Sequence, residues 1–68
     1  MKKEDTVLEI LKRNFGTSKF REFAGTIRFN TDSIDDVQII ELGILSVEKA
    51  CDIKIKRSGT GLLIIINL

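Results

Sequence analysis

Apolar residues recur at helical spacing near the start of the chain: Val7, Leu8, Leu11 and Phe15 form one stripe, which predicts a helix over residues 6–15. Thr6-Val7-Leu8-Glu9 fits a capping box at its start. Lys12 and Arg13 oppose the negative end of the helix dipole, and Gly16 is a natural stop. Residues 17–23 read as a connection anchored by two buried phenylalanines, Phe20 and Phe23. The period then drops to two over residues 24–30, with Ile27 and Phe29 on one side and Thr26 and Arg28 on the other, as in a half-buried strand.

A second helix is expected to open near Thr31-Asp32-Ser33 and to run to about Cys51. Asp32 or Ser33 would cap it, and Asp35 and Asp36 fall in the first turn, where negative charge is favoured. At 100° per residue, Val37, Ile39, Ile40, Gly43, Ile44, Val47, Ala50 and Cys51 share one broad face. The small residues Gly43 and Ala50 on that face suit close approach to a sheet, so this face is expected to be the core side. Leu42 and Leu45 then fall outward among Gln38, Glu41, Glu48 and Lys49. They are either incidental exposed leucines or a contact with another chain.

The last third alternates cleanly. Ile53 and Ile55 point one way and Lys54 and Lys56 the other, Ser58-Gly59-Thr60-Gly61 is turn chemistry, and residues 62–68 are apolar on both faces. That pattern predicts a hairpin whose final strand is covered on both sides. The whole is a single α+β domain spanning residues 1–68, with element order α-β-α-β-β and a three-stranded sheet in order 1-3-2 packed on helices. The last strand is central and antiparallel to both others, and the strand–helix–strand unit crosses over right-handed. One sheet face is covered by the second helix. The other is capped by the first helix or shared with a second copy.

Length sharpens the picture. A chain of 68 residues buries only about 60% of its unfolded surface. Domains this small usually add disulfides, a metal or a partner chain. Cys51 is the single cysteine and there is no histidine, so a disulfide is excluded and a soft-metal site is hard to build. Oligomerisation, most simply a homodimer, is the expected remedy. No run approaches the roughly 18–20 apolar residues of a membrane span. No apolar signal segment follows Met1-Lys2-Lys3-Glu4-Asp5, and a lone thiol suits a reducing setting, so a cytoplasmic location is expected.

Net charge is only +1, but it is unevenly spread. Residues 1–30 carry seven basic and four acidic side chains, residues 31–52 one basic and six acidic, and residues 53–68 three basic and none acidic. Such a split points to complementary packing or a steering patch.

Candidate chemistry is thin. Acid–base catalysis near neutral pH most often uses histidine, which is absent, and Cys51 has no histidine to pair with. Cys51 is expected in the core. Asp32, Asp35 and Asp36 lack the loop spacing of a calcium site and read as helix-start residues. Gly59-Thr60-Gly61 precedes a strand and not a helix, which makes it a hairpin turn and not a phosphate loop. No cofactor and no enzymatic activity are expected.

Three functional readings follow. The first is a non-enzymatic protein-binding or regulatory, inhibitor-like domain, with Leu42, Leu45, Lys54, Lys56 and Arg57 as the candidate partner-binding residues. The second is a nucleic-acid-binding module that uses the basic sheet edge, where Lys54, Lys56 and Arg28 share a solvent face and Arg57 stands at the turn. Exposed Lys54 and Lys56 also serve to block edge-to-edge sheet aggregation. The third rests on Asp32-Ser33-Ile34-Asp35-Asp36-Val37-Gln38-Ile39-Ile40, which resembles the Asp-Ser-Leu segment of acyl carrier proteins. The resemblance covers about nine residues, and it implies that Ser33 carries a phosphopantetheine arm.

Overall fold

A computed structural model describes residues 2–16 and 18–68. Helix α1 spans Lys3–Phe15, and strand β1 (Arg21–Phe23) pairs with β2 (Thr26–Thr31). Helix α2 (Asp36–Glu48) leads to β3 (Asp52–Ser58) and β4 (Gly61–Asn67). The four strands form one antiparallel sheet in the order β1-β2-β4-β3. The three expected strands hold their expected relative order, with β4 between β2 and β3, but the sheet has four strands and not three.

The extra strand comes from the segment expected to be a connection. Ala24 and Gly25 both take positive φ, 50° and 77°, and close a two-residue turn between the paired residues Phe23 and Thr26. Positive φ at both central positions is the type I′ pattern, whose twist suits a tight hairpin. Thr26 Oγ1 also donates to the Phe23 carbonyl oxygen at 2.6 Å. Phe23 is therefore not a core anchor; it is 80% exposed. Phe20 is partly buried, and its ring lies 4.9 Å from that of Phe29. Thr17, the first residue of the expected connection, lies outside the described residues, as does Met1.

Helix α1 starts three residues earlier than its apolar stripe suggests. Thr6 does not cap it, because its hydroxyl lies inside the first turn and donates to the Lys2 carbonyl at 3.4 Å. Val7, Leu11 and Phe15 are buried as expected. They pack with Ile27 and Phe29 of β2, Leu42 and Leu45 of α2, Cys51, and Ile64 and Ile66 of β4. Both helices thus lie on one sheet face. That face is built from cross-strand rows, Ile27–Ile66–Ile53 and Phe29–Ile64–Ile55. Among the described residues, nothing packs over the opposite face, which carries Leu63 and Ile65 of β4, and both residues remain partly accessible. The expectation that β4 is covered on both sides is not met within a single chain.

Helix α2 differs most from expectation. It begins at Asp36, since β2 continues through Thr31 and neither Asp32 nor Ser33 caps it. Asp35 is the cap: its Oδ1 accepts the Gln38 amide at 2.8 Å, and Gln38 Oε1 accepts the Asp35 amide at 3.0 Å. The Gln38 Nε2 meanwhile donates to the Asn14 carbonyl at the end of α1 at 2.8 Å. One side chain therefore closes the cap and ties the two helices together, which fixes the rotation of α2. Four and seven residues beyond Gln38 on the same side lie Leu42 and Leu45, and both are buried, at 5% and 2% exposure. The helix ends at Glu48, before Ala50 and Cys51. Ala50 takes φ 52°, and the Cys51 amide reaches back to the Ser46 carbonyl at 3.1 Å, a Schellman-type stop.

Candidate interaction surfaces

The fold leaves two surfaces whose chemistry is unspent, one on each side of the molecule. The first is the outer face of α2. With Leu42 and Leu45 turned into the core, the residues expected to be buried face outward. Val37 is 64% exposed, Ile40 60%, Ile44 45% and Val47 83%, and Ile39 on the flank is 52% exposed. Ile40, Gly43, Ile44 and Val47 follow the i, i+3, i+4, i+7 pattern of a helix stripe that normally meets a partner. They line a shallow cleft of about 490 Å³ together with Glu48. Gly43 forms its floor, and a Cβ added there would meet nothing within 4 Å.

At these exposures the five aliphatic side chains amount to an apolar patch on the order of 500 Å², at the upper end of what a typical monomer leaves in one place. Leu42 and Leu45, the expected contact residues on this helix, are not part of it.

The second surface is the open sheet face. Register places Arg21, Arg28, Ile65 and Lys54 in one cross-strand row, and Asn30, Leu63 and Lys56 in the next. A third row holds Phe23, Thr26, Asn67 and Asp52. Side chains directly opposite one another in a sheet share a face, so four cations surround a partly exposed Leu63–Ile65 ridge. An open groove of about 580 Å³ runs along one side, bordered by Lys19, Arg21, Arg28, Asn30 and Leu63. Lys54 and Lys56 thus stand together with Arg28, as the alternation of β3 suggests.

Arg57 does not join them. It pairs with Leu62 and belongs to the opposite face, where it borders a smaller cleft of about 300 Å³ with Asp32, Ser33 and Ile34. Ser33 is exposed and sits three residues ahead of α2 instead of opening it, and its carbonyl accepts the Thr31 hydroxyl at 3.2 Å. Cys51 is buried, with Sγ 3.5 Å from the Lys49 carbonyl oxygen. Among the described residues no three His, Cys, Asp or Glu side chains cluster as metal ligands would, and no helix is long and apolar enough to cross a membrane.

Sequence reasoning missed two contributors. Phe23 reads as core in the sequence because nothing in Ala24-Gly25 announces a type I′ turn as Asn-Gly would. The rotation of α2 was legible only in Asp35-x-x-Gln38, a capping box with aspartate in the first place. No protein-family model matches the chain, and no curated protein matches it significantly.

Proposed function

We propose that this chain is a non-enzymatic protein-binding domain of the small regulatory type that associates with a second copy of itself through the outer face of α2. The observation that carries the reading is the unpartnered stripe Ile40-Gly43-Ile44-Val47, on a helix whose opposite side already fills the core. A helix apolar all round is normally buried all round.

The stripe is self-complementary. Its midpoint falls between Gly43 and Ile44, so two antiparallel copies of α2 related by a two-fold axis set Ile40 against Val47 of the other copy. The same symmetry sets Ile44 into the gap left by Gly43. This is the isologous contact that closed dimers use. The patch is roughly 500 Å², the larger part of the ~800 Å² per partner that a standard interface buries. The absence of histidine and the burial of the sole thiol are consistent with a role in binding and not in catalysis.

The test is a dilution series followed by amide NMR. Self-association through α2 moves the resonances of Val37, Ile40, Gly43, Ile44 and Val47 with concentration and leaves β3 unmoved. Concentration-independent spectra, or shifts confined to the sheet, would refute the reading.

A further inference from the structure

The open sheet face is a separate matter from α2, because it lies on the other side of the molecule and its chemistry is of another kind. We infer that it is a docking platform for single-stranded nucleic acid. Such platforms combine cations that track a phosphate backbone with exposed aromatic rings on which bases stack. Both parts are present on the same face. Arg21, Arg28, Lys54 and Lys56 are all exposed, and they project from three strands around Leu63 and Ile65. The ring of Phe23, 80% exposed at the end of β1, belongs to the same face, one row away.

Neighbouring strands are about 4.8 Å apart, so the row from Arg21 to Lys54 spans about 14 Å, enough for two or three phosphates. Asn30 beside Lys56, and Thr26 and Asn67 in the row of Phe23, supply neutral hydrogen-bonding groups flanking the cations, and Asp52 at one corner is the only carboxylate in the three rows. A duplex keeps its base faces stacked inside and so gives Phe23 nothing to stack on. A flexible single strand also offers base faces to Phe23 and to the Leu63–Ile65 ridge. The carboxylates of an acidic protein segment satisfy the cations but offer no planar face to the ring of Phe23.

The probe is a fluorescently labelled oligothymidylate of about twenty nucleotides, titrated with the full chain and read by anisotropy across about 50–200 mM salt. With Lys56 in the next row adding a fourth contact to the three of the Arg21–Lys54 row, affinity falls roughly 50-fold over that range, at a slope of about −0.7 per contact. Arg28→Ala with Lys54→Ala reduces the slope by about 1.4, and Phe23→Ala weakens binding at least about fivefold at every salt concentration. Phe23 is exposed, so its removal leaves the circular dichroism spectrum unchanged. Lys3→Ala with Lys12→Ala, on the exposed side of α1, serves as the control and leaves binding intact. The inference is overturned if no binding is seen at low salt or if the control pair weakens binding as much as the sheet pair. It is also overturned if Phe23→Ala has no effect while inorganic polyphosphate or an oligoglutamate competes equally per charge.

Discussion

The rotation of α2 decides which of its faces is core and which is free, and two residues that lie two positions apart test it. Leu45 is 2% exposed and Val47 is 83% exposed. Truncating a buried leucine to alanine costs about 2–5 kcal/mol, from lost transfer energy and the cavity left behind. A domain of 68 residues has a total stability of roughly 3–10 kcal/mol, so Leu45→Ala removes a large share of it. At about 4–8 °C per kcal/mol for a domain of this size, a 3 kcal/mol loss lowers Tm by about 12–24 °C.

Val47→Ala removes no buried surface from the monomer. It also replaces a β-branched residue with the best helix former, so the isolated chain changes by about 0.5 kcal/mol or less. The assay is urea unfolding followed by far-UV circular dichroism at high dilution, so that association does not add to stability. A common m-value for the two variants confirms that the same surface unfolds. If Val47→Ala destabilises the chain as much as Leu45→Ala or more, α2 is turned by half a revolution and the exposed stripe is core.

The remaining predictions concern the joints of the fold. Gly61→Ala places a Cβ 2.7 Å from the Thr31 carbonyl oxygen, and the backbone shift this forces costs about 1–3 kcal/mol by urea unfolding. Ala50→Gly relieves a non-glycine residue held at φ 52° and stabilises the chain by about 1 kcal/mol in the same assay; a loss of stability would exclude the Schellman-type stop. Gln38→Ala opens the cap of α2 and its tie to Asn14, for a loss of about 1–2 kcal/mol. Gly43→Ala gains up to about 1 kcal/mol of helix propensity in the diluted monomer while weakening self-association. A mutation that stabilised both states would rule out close approach at that position.

The architecture was legible in the sequence wherever one pattern excluded the other. Alternation in β2 and β3, the glycines at the last turn and the apolar run of β4 specify those strands, and together they imply that β4 is central. Where two patterns are equally strong, the sequence does not decide between them. Helix α2 has apolar side chains around most of its circumference, so periodicity alone does not choose between the Leu42–Leu45 side and the Ile40–Val47 side. The choice is made by polar atoms, through the Gln38 amide that binds both Asp35 and Asn14. The hairpin of β1 was hidden for a different reason. Alanine in a left-handed conformation costs about 1–2 kcal/mol, so Ala24 is a residue that turn chemistry would not nominate, and without that turn Phe23 reads as core.

The basic face was half visible. Lys54, Lys56 and Arg28 declare themselves by alternation, whereas Arg21 and Phe23 join them only once β1 is seen to extend the sheet. Arg57 is excluded by parity, since it stands an odd number of residues from both Lys54 and Lys56 along the same strand.

Sedimentation equilibrium of the wild type beside Ile44→Glu asks whether the outer face of α2 joins two copies of this chain. The wild-type mass rises with concentration from 7.7 kDa toward twice that value, and the Ile44→Glu variant stays at the monomer mass with its fold intact. A wild type that remains monomeric at every concentration, or a variant that associates as strongly as the wild type, would contradict an interface at α2.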